Sequence, residues 1–176
     1  MNDLTPAAQR FVLHWGEMGT RWGINRTVAQ IHALLMISPN PLPAEVICER
    51  LEVARSNVSN SLRELQGWGV IRLVHVSGDR RDHFESLKDI WAMFRLIAQE
   101  RKKREFDPTM AMLGECLAEA DPGKDAYLTE RLAEIQGFFT TVAGWYDQLF
   151  ALPTSLLRNA MKLGSVLGSL VPKSKG

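Results

Sequence analysis

The spacing of apolar residues predicts a series of short helices in the first part of the chain. In residues 5–22, apolar side chains recur at helical intervals, with Thr5 suited to an N-cap and Pro6 to the first helical position. Gly23 ends this pattern, and a second helix is predicted to start at Thr27. After a turn-rich break at 38–43, two more helices are expected at about 43–51 and about 55–68.

The pattern then changes from helical spacing to that of strands. Residues 70–75 are rich in β-branched side chains, residues 77–79 have turn composition, and residues 82–85 suit a returning strand. Short helices followed directly by such a hairpin describe a winged helix-turn-helix. We therefore predict a mainly α fold with a two-stranded wing and long C-terminal dimerisation helices.

The C-terminal part returns to helical spacing. A charged run at 100–105 precedes Asp107-Pro108, which is expected to cap and restart a helix. Within about 125–150, apolar residues alternate spacings of four and three over about three heptads, which predicts a dimerisation seam. The seam consists of Leu128, Leu132, Ile135, Phe139, Val142, Tyr146 and Leu149.

These elements divide the chain into three parts. Residues 1–24 form an N-terminal helix assigned to the dimerisation region, and residues 25–86 form the winged helix-turn-helix. Residues 87–176 form a helical dimerisation region and a tail. We expect a homodimer.

Polar side chains on the fourth predicted helix indicate a DNA-reading surface. Short hydrogen-bonding side chains let a helix enter the major groove, and Arg or Asn can bind a base edge through two hydrogen bonds. The outward-facing residues are Ser56, Asn57, Ser59, Asn60 and Arg63. Arg55, at the helix start, and Arg72, in the hairpin, are expected to contact phosphates.

The hairpin turn carries two more candidate DNA contacts. Arg80 and Arg81 follow Gly78-Asp79, and a narrow minor groove attracts an inserted Arg through its negative potential. Asp79 is expected to position one of the two arginines. The predicted partner is double-stranded operator DNA.

Composition restricts the remaining functions. The net charge of +1 means that DNA binding must depend on local charge clusters. The sequence shows no secretory signal, no membrane-spanning apolar run and no CxxC pair, so we expect a cytoplasmic protein without membrane contact or a metal site. It also lacks the common nucleophile, phosphate-loop and dinucleotide motifs, so we expect neither catalytic residues nor a cofactor.

The sequence resembles the GbsR branch of the MarR-type winged-helix regulators over roughly residues 8–120. The resemblance rests on the segments Trp15-Gly16, Trp22-Gly23, Ser38-Pro39, Pro41-Leu42, Asn57-Val58-Ser59, Leu62-Arg63-Glu64-Leu65, Trp68-Gly69, Gly78-Asp79-Arg80-Arg81 and Arg101 to Asp107-Pro108. It implies a dimer that binds operator DNA, usually as a repressor, and in some members responds to osmolyte-related molecules such as choline. Ala54 and Pro43 depart from the usual Ser or Thr at two helix starts.

Two questions stay open at the level of sequence. One alternative is a winged-helix module for protein–protein assembly without DNA binding, although outward arginines at the fourth helix and wing argue against it. The other is a small-molecule effector, since aromatic rings attract cations. Its expected pocket consists of Trp15, Trp22, Trp91, Phe94, Trp145 and Tyr146.

Overall fold

Helices dominate the chain, with three short strands among them. The computed structural model describes residues 3–159 and Leu163. The helices are α1 (Pro6–Arg21), α2 (Arg26–Ile37), α3 (Ala44–Leu51), α4 (Arg55–Gly67), α5 (Ile90–Arg101), α6 (Asp107–Glu119) and α7 (Ala126–Ala151), and the strands are β1 (Leu42–Pro43), β2 (Ile71–Val74) and β3 (His83–Ser86). The chain divides into two compact units, 1–97 and 98–176, each described separately below. The predicted tail beyond residue 159, apart from Leu163, lies outside the described residues.

Caps fix the first two helices where polar residues precede them. The Thr5 hydroxyl accepts a hydrogen bond from the Ala8 N–H at 3.3 Å, as the sequence predicts. The Asn25 side chain accepts a hydrogen bond from the Thr27 N–H at 2.8 Å and caps α2. Helix α2 therefore begins at Arg26, one residue earlier than predicted. Helices α1 and α2 pack closely through Gly19, where an added Cβ would lie 2.5 Å from the Ala29 Cβ.

The sheet has one strand more than the predicted two-stranded wing. The strand order is β1-β3-β2, and both pairings are antiparallel. Strand β1 lies inside the segment predicted as a turn, with Leu42 opposite Phe84 and Pro43 opposite His83. Two residues are too few to show alternation, and proline occurs at sheet edges because it lacks an N–H to donate. For these reasons the sequence pattern did not reveal the strand.

The hydrophobic core of the first unit lies beneath α4 and the sheet. Helix α4 contributes the side chains of Val58, Leu62 and Leu65, all buried, while α1 contributes Val12. Helix α2 contributes more buried residues than any other helix and is buried along most of its length. Helix α4 thus buries the side opposite its polar residues, and α1, predicted to belong to the dimerisation region, packs into the first unit.

In the second unit, one continuous helical path replaces the predicted break before α6. A π-helical turn over Lys102–Phe106 connects α5 to α6, and the Asp107 N–H donates to the Lys102 carbonyl. The predicted cap and restart at Asp107 is therefore wrong. Pro108 cannot donate to the ladder and would crowd the carbonyl four residues earlier, which the wider π turn relieves. The Thr109 hydroxyl donates to the Glu105 carbonyl at 2.7 Å.

Helix α7 carries apolar side chains on two neighbouring faces. On one face the Phe139 ring lies 5.6 Å from that of Phe106, and Tyr146 lies 4.3 Å from the buried Phe150. The other face is exposed, with Phe138 64% and Trp145 63% accessible. The predicted seam residues differ in burial: Leu128 and Ile135 are exposed, and Leu132, Phe139, Val142, Tyr146 and Leu149 are half-buried.

Candidate nucleic-acid interface

The fourth helix presents the predicted polar surface. Its residues Arg55, Ser56, Asn57, Ser59, Asn60 and Arg63 are all exposed. The helix follows Glu52, which adopts a left-handed conformation with φ of 57°, and no side chain caps it at Ala54. Its first backbone N–H groups have no intrahelical acceptor, and such groups bind phosphates well.

A groove of about 460 Å³ joins α4 to the sheet in the first unit. Arg55, Ser59 and Arg63 line it from the helix, and Arg81 lines it from the wing. Its apolar lining is provided by Leu62, Leu73 and Phe84. The fold therefore brings four of the nine predicted DNA-binding residues to one concave surface.

Carboxylates that the sequence analysis did not single out share this groove. The Arg55 Nη1 atom lies 2.5 Å from the Glu45 Oε1 atom, which connects α3 to the start of α4. A backbone hydrogen bond and then the one from Arg55 hold the pKa of Glu45 below its usual value. Asp82 also lines the groove. Glu45 lies ten positions before Arg55, too far for a local spacing rule to reveal the pair.

The wing arginines differ in their partners. Arg72 and Glu85 are directly opposite on β2 and β3, with the Arg72 Nη2 atom 2.6 Å from the Glu85 Oε1 atom. The Arg81 Nη2 atom lies 2.5 Å from the Asp79 Oδ2 atom, and the Arg81 backbone N–H donates to the Asp79 Oδ1 atom at 3.0 Å. Arg81 holds the pKa of Asp79 well below its usual range. Arg80 is exposed and makes no ion pair within the described residues.

Two of the other predicted residues of α4 lie on its other flank. Asn57 and Asn60 line a second groove, of about 210 Å³, together with Asn25 and Thr27 at the start of α2. The Arg63 Nη1 atom donates to the Asn60 Oδ1 atom at 3.1 Å. This bond leaves the Asn60 amide N–H donors available and orients the Arg63 guanidinium along the helix surface.

The six aromatic residues expected to form an effector pocket do not lie together within either unit. Trp15 and Trp22 line an apolar cavity of the first unit, whose volume of about 30 Å³ is close to one water molecule. Trp91 and Phe94 do not line it. Tyr146 lines a cavity of about 330 Å³ in the second unit, and Trp145 is exposed.

Two further features were sought in the described part of the chain, a metal-holding cluster and a membrane-spanning helix. Residues 3–159 and Leu163 contain no group of three or more His, Cys, Asp or Glu side chains that could hold a metal ion. Over the same residues, no helix is both long and apolar enough to cross a membrane.

Comparison with known proteins supports the winged-helix architecture. Residues 22–82 match the model of the MarR family. This range runs from α2 through β1, α3, α4 and β2 to the wing turn. The fold is similar to that of a crystal structure of a transcriptional regulator, with a TM-score of 0.62 and 19% identity, over 83% of this chain and 97% of the other. No curated protein matches the chain.

Proposed function

We propose that this protein is a transcriptional regulator that binds duplex DNA through α4 and the wing. The observation that carries the proposal is the groove in which Arg55, Ser59 and Arg63 of α4 and Arg81 of the wing meet. A helix with short polar side chains beside a basic hairpin suits a major groove flanked by phosphates. The match of residues 22–82 to the MarR family supports the same function.

The residues divide into two proposed roles. Arg63 and Asn60 lie at mid-helix, are exposed and hydrogen-bond each other, which pre-orients both for base edges. Arg80 and Arg81 in the wing turn supply minor-groove or phosphate contacts, and Arg55 and Arg72 supply phosphate contacts. Ser56, Asn57 and Ser59 lie beside the uncapped start of α4 and complete its DNA-facing surface.

We further propose that the protein acts as a homodimer and a repressor of the GbsR branch. A two-fold dimer presents two copies of α4, so the operator is an inverted repeat with half-sites about 10 base pairs apart. The exposed apolar face of α7 supports dimerisation, because an exposed row of large apolar side chains is typical of an interface.

The central experiment separates base reading from backbone binding. Fragments selected from genomic DNA by the purified protein supply the operator, and binding is measured on it and on random duplex at several salt concentrations. Arg63→Ala is expected to weaken operator binding by about 1–3 kcal/mol and to change binding to random DNA little. Arg81→Ala is expected to weaken both and to reduce the salt dependence. Arg10→Ala, at an exposed position of α1, is the matched control.

The same experiment distinguishes DNA binding from the alternative of a winged-helix module for protein–protein assembly. A winged helix used only for protein–protein contact would show no salt-dependent retention on random duplex DNA. Unchanged operator affinity in Arg63→Ala would falsify the assignment of that residue to base reading.

An effector site is proposed separately, in the second unit. There the Tyr146 and Phe150 rings line one cavity with the Asp107 and Asp147 carboxylates and with two lysines, Lys102 and Lys103. Lys102 pairs with both carboxylates, so a small organic cation such as choline would have to displace Lys102 from them and bind against the rings. The Tyr146 hydroxyl is buried without a hydrogen-bond partner among the described residues, and burial raises its pKa to about 12. Operator release and tryptophan fluorescence, titrated with choline against sodium chloride, test the site; a response no larger than that to salt removes it.

A further inference from the structure

Helix α4 has two polar flanks, and the wing faces one of them. Ser59 lines the groove shared with the wing, whereas Asn57, two positions earlier, lines the second groove. At about 100° per residue, these two side chains point about 160° apart around the helix. Asn60 and Arg63, both exposed, lie between them in angle. The two grooves therefore lie on opposite sides of the outward-facing residues.

The geometry of duplex DNA gives each flank a different strand to contact. The major groove is about 12 Å wide, and an α-helix with its side chains is about 10–12 Å across, so a helix fills it. The phosphate backbones of opposite strands border the major groove on its two sides. When the outward side of α4 faces the bases, the flank beside the wing faces one backbone and the second groove faces the other.

The second groove carries neutral hydrogen-bond donors. Its lining includes the Thr27 hydroxyl and the side-chain amides of Asn57 and Asn60. Arg63 donates to the Asn60 Oδ1 atom, which leaves the Asn60 amide N–H groups available. Thr27 also belongs to the first turn of α2, where the helix dipole favours an anion. This set of donors suits the oxygens of a phosphate.

A buried serine of α4 also lines the second groove. Ser61 is 5% exposed, and its hydroxyl has no hydrogen-bond partner among the described residues. Buried polar groups in native proteins are nearly always hydrogen-bonded, so this hydroxyl indicates a partner that the chain itself does not supply. The groove, of about 210 Å³, leaves room for an acceptor oxygen beside it.

One carboxylate in the lining opposes an anion. Glu64 lies four residues beyond Asn60, which is about 6 Å further along the helix axis and away from the start of α4. The N-terminal residues of a reading helix are the ones that approach the bases. A phosphate would therefore lie nearer to Asn57 than to Glu64.

We propose that the second groove binds a backbone phosphate of the DNA strand opposite to the one that Arg55 contacts. The hydroxyls of Thr27 and Ser61 donate hydrogen bonds to the phosphate oxygens. Contacts to both strands fix the rotation of α4 in the major groove and thereby position Arg63 for base edges. The inference rests on the proposed function and adds to it two contact residues, Thr27 and Ser61.

The first test separates neutral from charged contacts to the backbone. Ser61→Ala and Thr27→Val are each expected to weaken binding to operator and to random duplex by about fivefold, because each loses a hydrogen bond to a charged group. Their salt dependence should equal that of the wild type, since a neutral donor releases no counterions, whereas Arg55→Ala should reduce it. Ser38→Ala, at a buried serine that lines neither groove, is the matched control and should bind as the wild type does. Unchanged binding in both Ser61→Ala and Thr27→Val would overturn the proposal.

The second test locates the phosphate on the operator. Single phosphates along both strands are replaced by neutral methylphosphonates, and the loss of affinity at each position is measured. Ser61→Ala should become insensitive at a phosphate of one strand and Arg55→Ala at a phosphate of the other. Insensitivity of both variants at the same phosphate, or full sensitivity of Ser61→Ala at every position, would refute the site. If the wild type binds no duplex at all, the proposed function fails and this inference with it, whereas binding that Ser61→Ala and Thr27→Val leave unchanged removes the inference alone.

Discussion

The arginines of the candidate interface are balanced by carboxylates. Arg55, Arg72 and Arg81 each pair with an acidic residue at 2.5 or 2.6 Å. A DNA phosphate must share or displace these carboxylates when it binds. The carboxylates therefore offset part of the attraction between the phosphate and the arginines. This arrangement agrees with a net charge of only +1 and favours binding that depends on shape and base contacts over general attraction to DNA. Arg63 differs, because its described partner is the neutral Asn60.

A buried histidine in the core makes the stability of the first unit depend on pH. His32 is 4% exposed, its Nε2 atom lies 3.5 Å from the Ser86 hydroxyl, and burial lowers its pKa from 6.5 to about 4. Between these values the unfolded chain binds a proton that the folded chain does not. The free energy of unfolding should therefore fall by about 3 kcal/mol as the pH drops from about 6.5 to about 4.

Urea unfolding at several pH values measures this contribution. The difference between wild type and His32→Gln is the informative quantity, because carboxylates also titrate at the acidic end of the range. His32→Gln should lose stability at neutral pH and show a flatter dependence on pH, while His14→Gln, exposed on α1, should follow the wild type. Parallel curves for wild type and His32→Gln would contradict the assignment.

Among the elements, α4 begins without a side-chain cap. Ala54 has φ of −62° and ψ of 143°, the conformation typical of a capping residue, but its side chain cannot accept a hydrogen bond. Ala54→Ser should let a hydroxyl accept one of the first N–H groups of α4. The free energy of unfolding is expected to increase by about 1 kcal/mol, measured by urea or thermal denaturation.

A serine placed inside a helix provides the control for this substitution. Ala111 is exposed within α6, where serine gains no capping bond and lowers helix propensity, so Ala111→Ser should be neutral or slightly destabilising. If Ala54→Ser does not exceed Ala111→Ser in stability, the start of α4 is stabilised by some other means.

The accuracy of sequence-based prediction differs between elements for physical reasons. Helix α1 could be predicted closely because its cap, the glycine after it and its apolar spacing agree, and α4 because its apolar spacing and the glycines at its end agree although it lacks a cap. Strand β1 could not, since two residues show no period. The π turn before Pro108 could not either, because a proline at a helix start and one accommodated within a continuous helix have the same sequence pattern.

The candidate site could be predicted only in part. Exposed positions on α4 follow from helical spacing, and the pairing of Asp79 with Arg81 follows from their closeness in the chain. The contacts of Arg55 with Glu45 and of Arg72 with Glu85 depend on how separate elements pack or pair, and spacing along the chain does not reveal them.

For the whole molecule, the exposed apolar face of α7 is the feature that a single chain leaves unexplained. Phe138 and Trp145 each have more than three fifths of their surface accessible, although helix α7 buries other apolar residues against its own unit. Covering two such rings removes a large apolar area from water, which stabilises association. A second copy of this chain is the partner that we propose, since a two-fold dimer pairs the same face of both copies.

A charge at this face should separate the two copies without unfolding either one. Trp145→Glu is expected to shift a sedimenting dimer to monomer at micromolar concentration with its helical circular dichroism retained, because this side chain contributes little to the packing within one chain. Thr140→Glu, at an exposed position on the other side of the same helix from Phe138 and Trp145, should leave the dimer intact. Ile135→Glu, at a less exposed seam position, should dissociate the dimer or unfold the chain. A folded wild-type monomer at micromolar concentration would exclude the dimer, and with it the inverted-repeat operator, because a single α4 reads only one half-site.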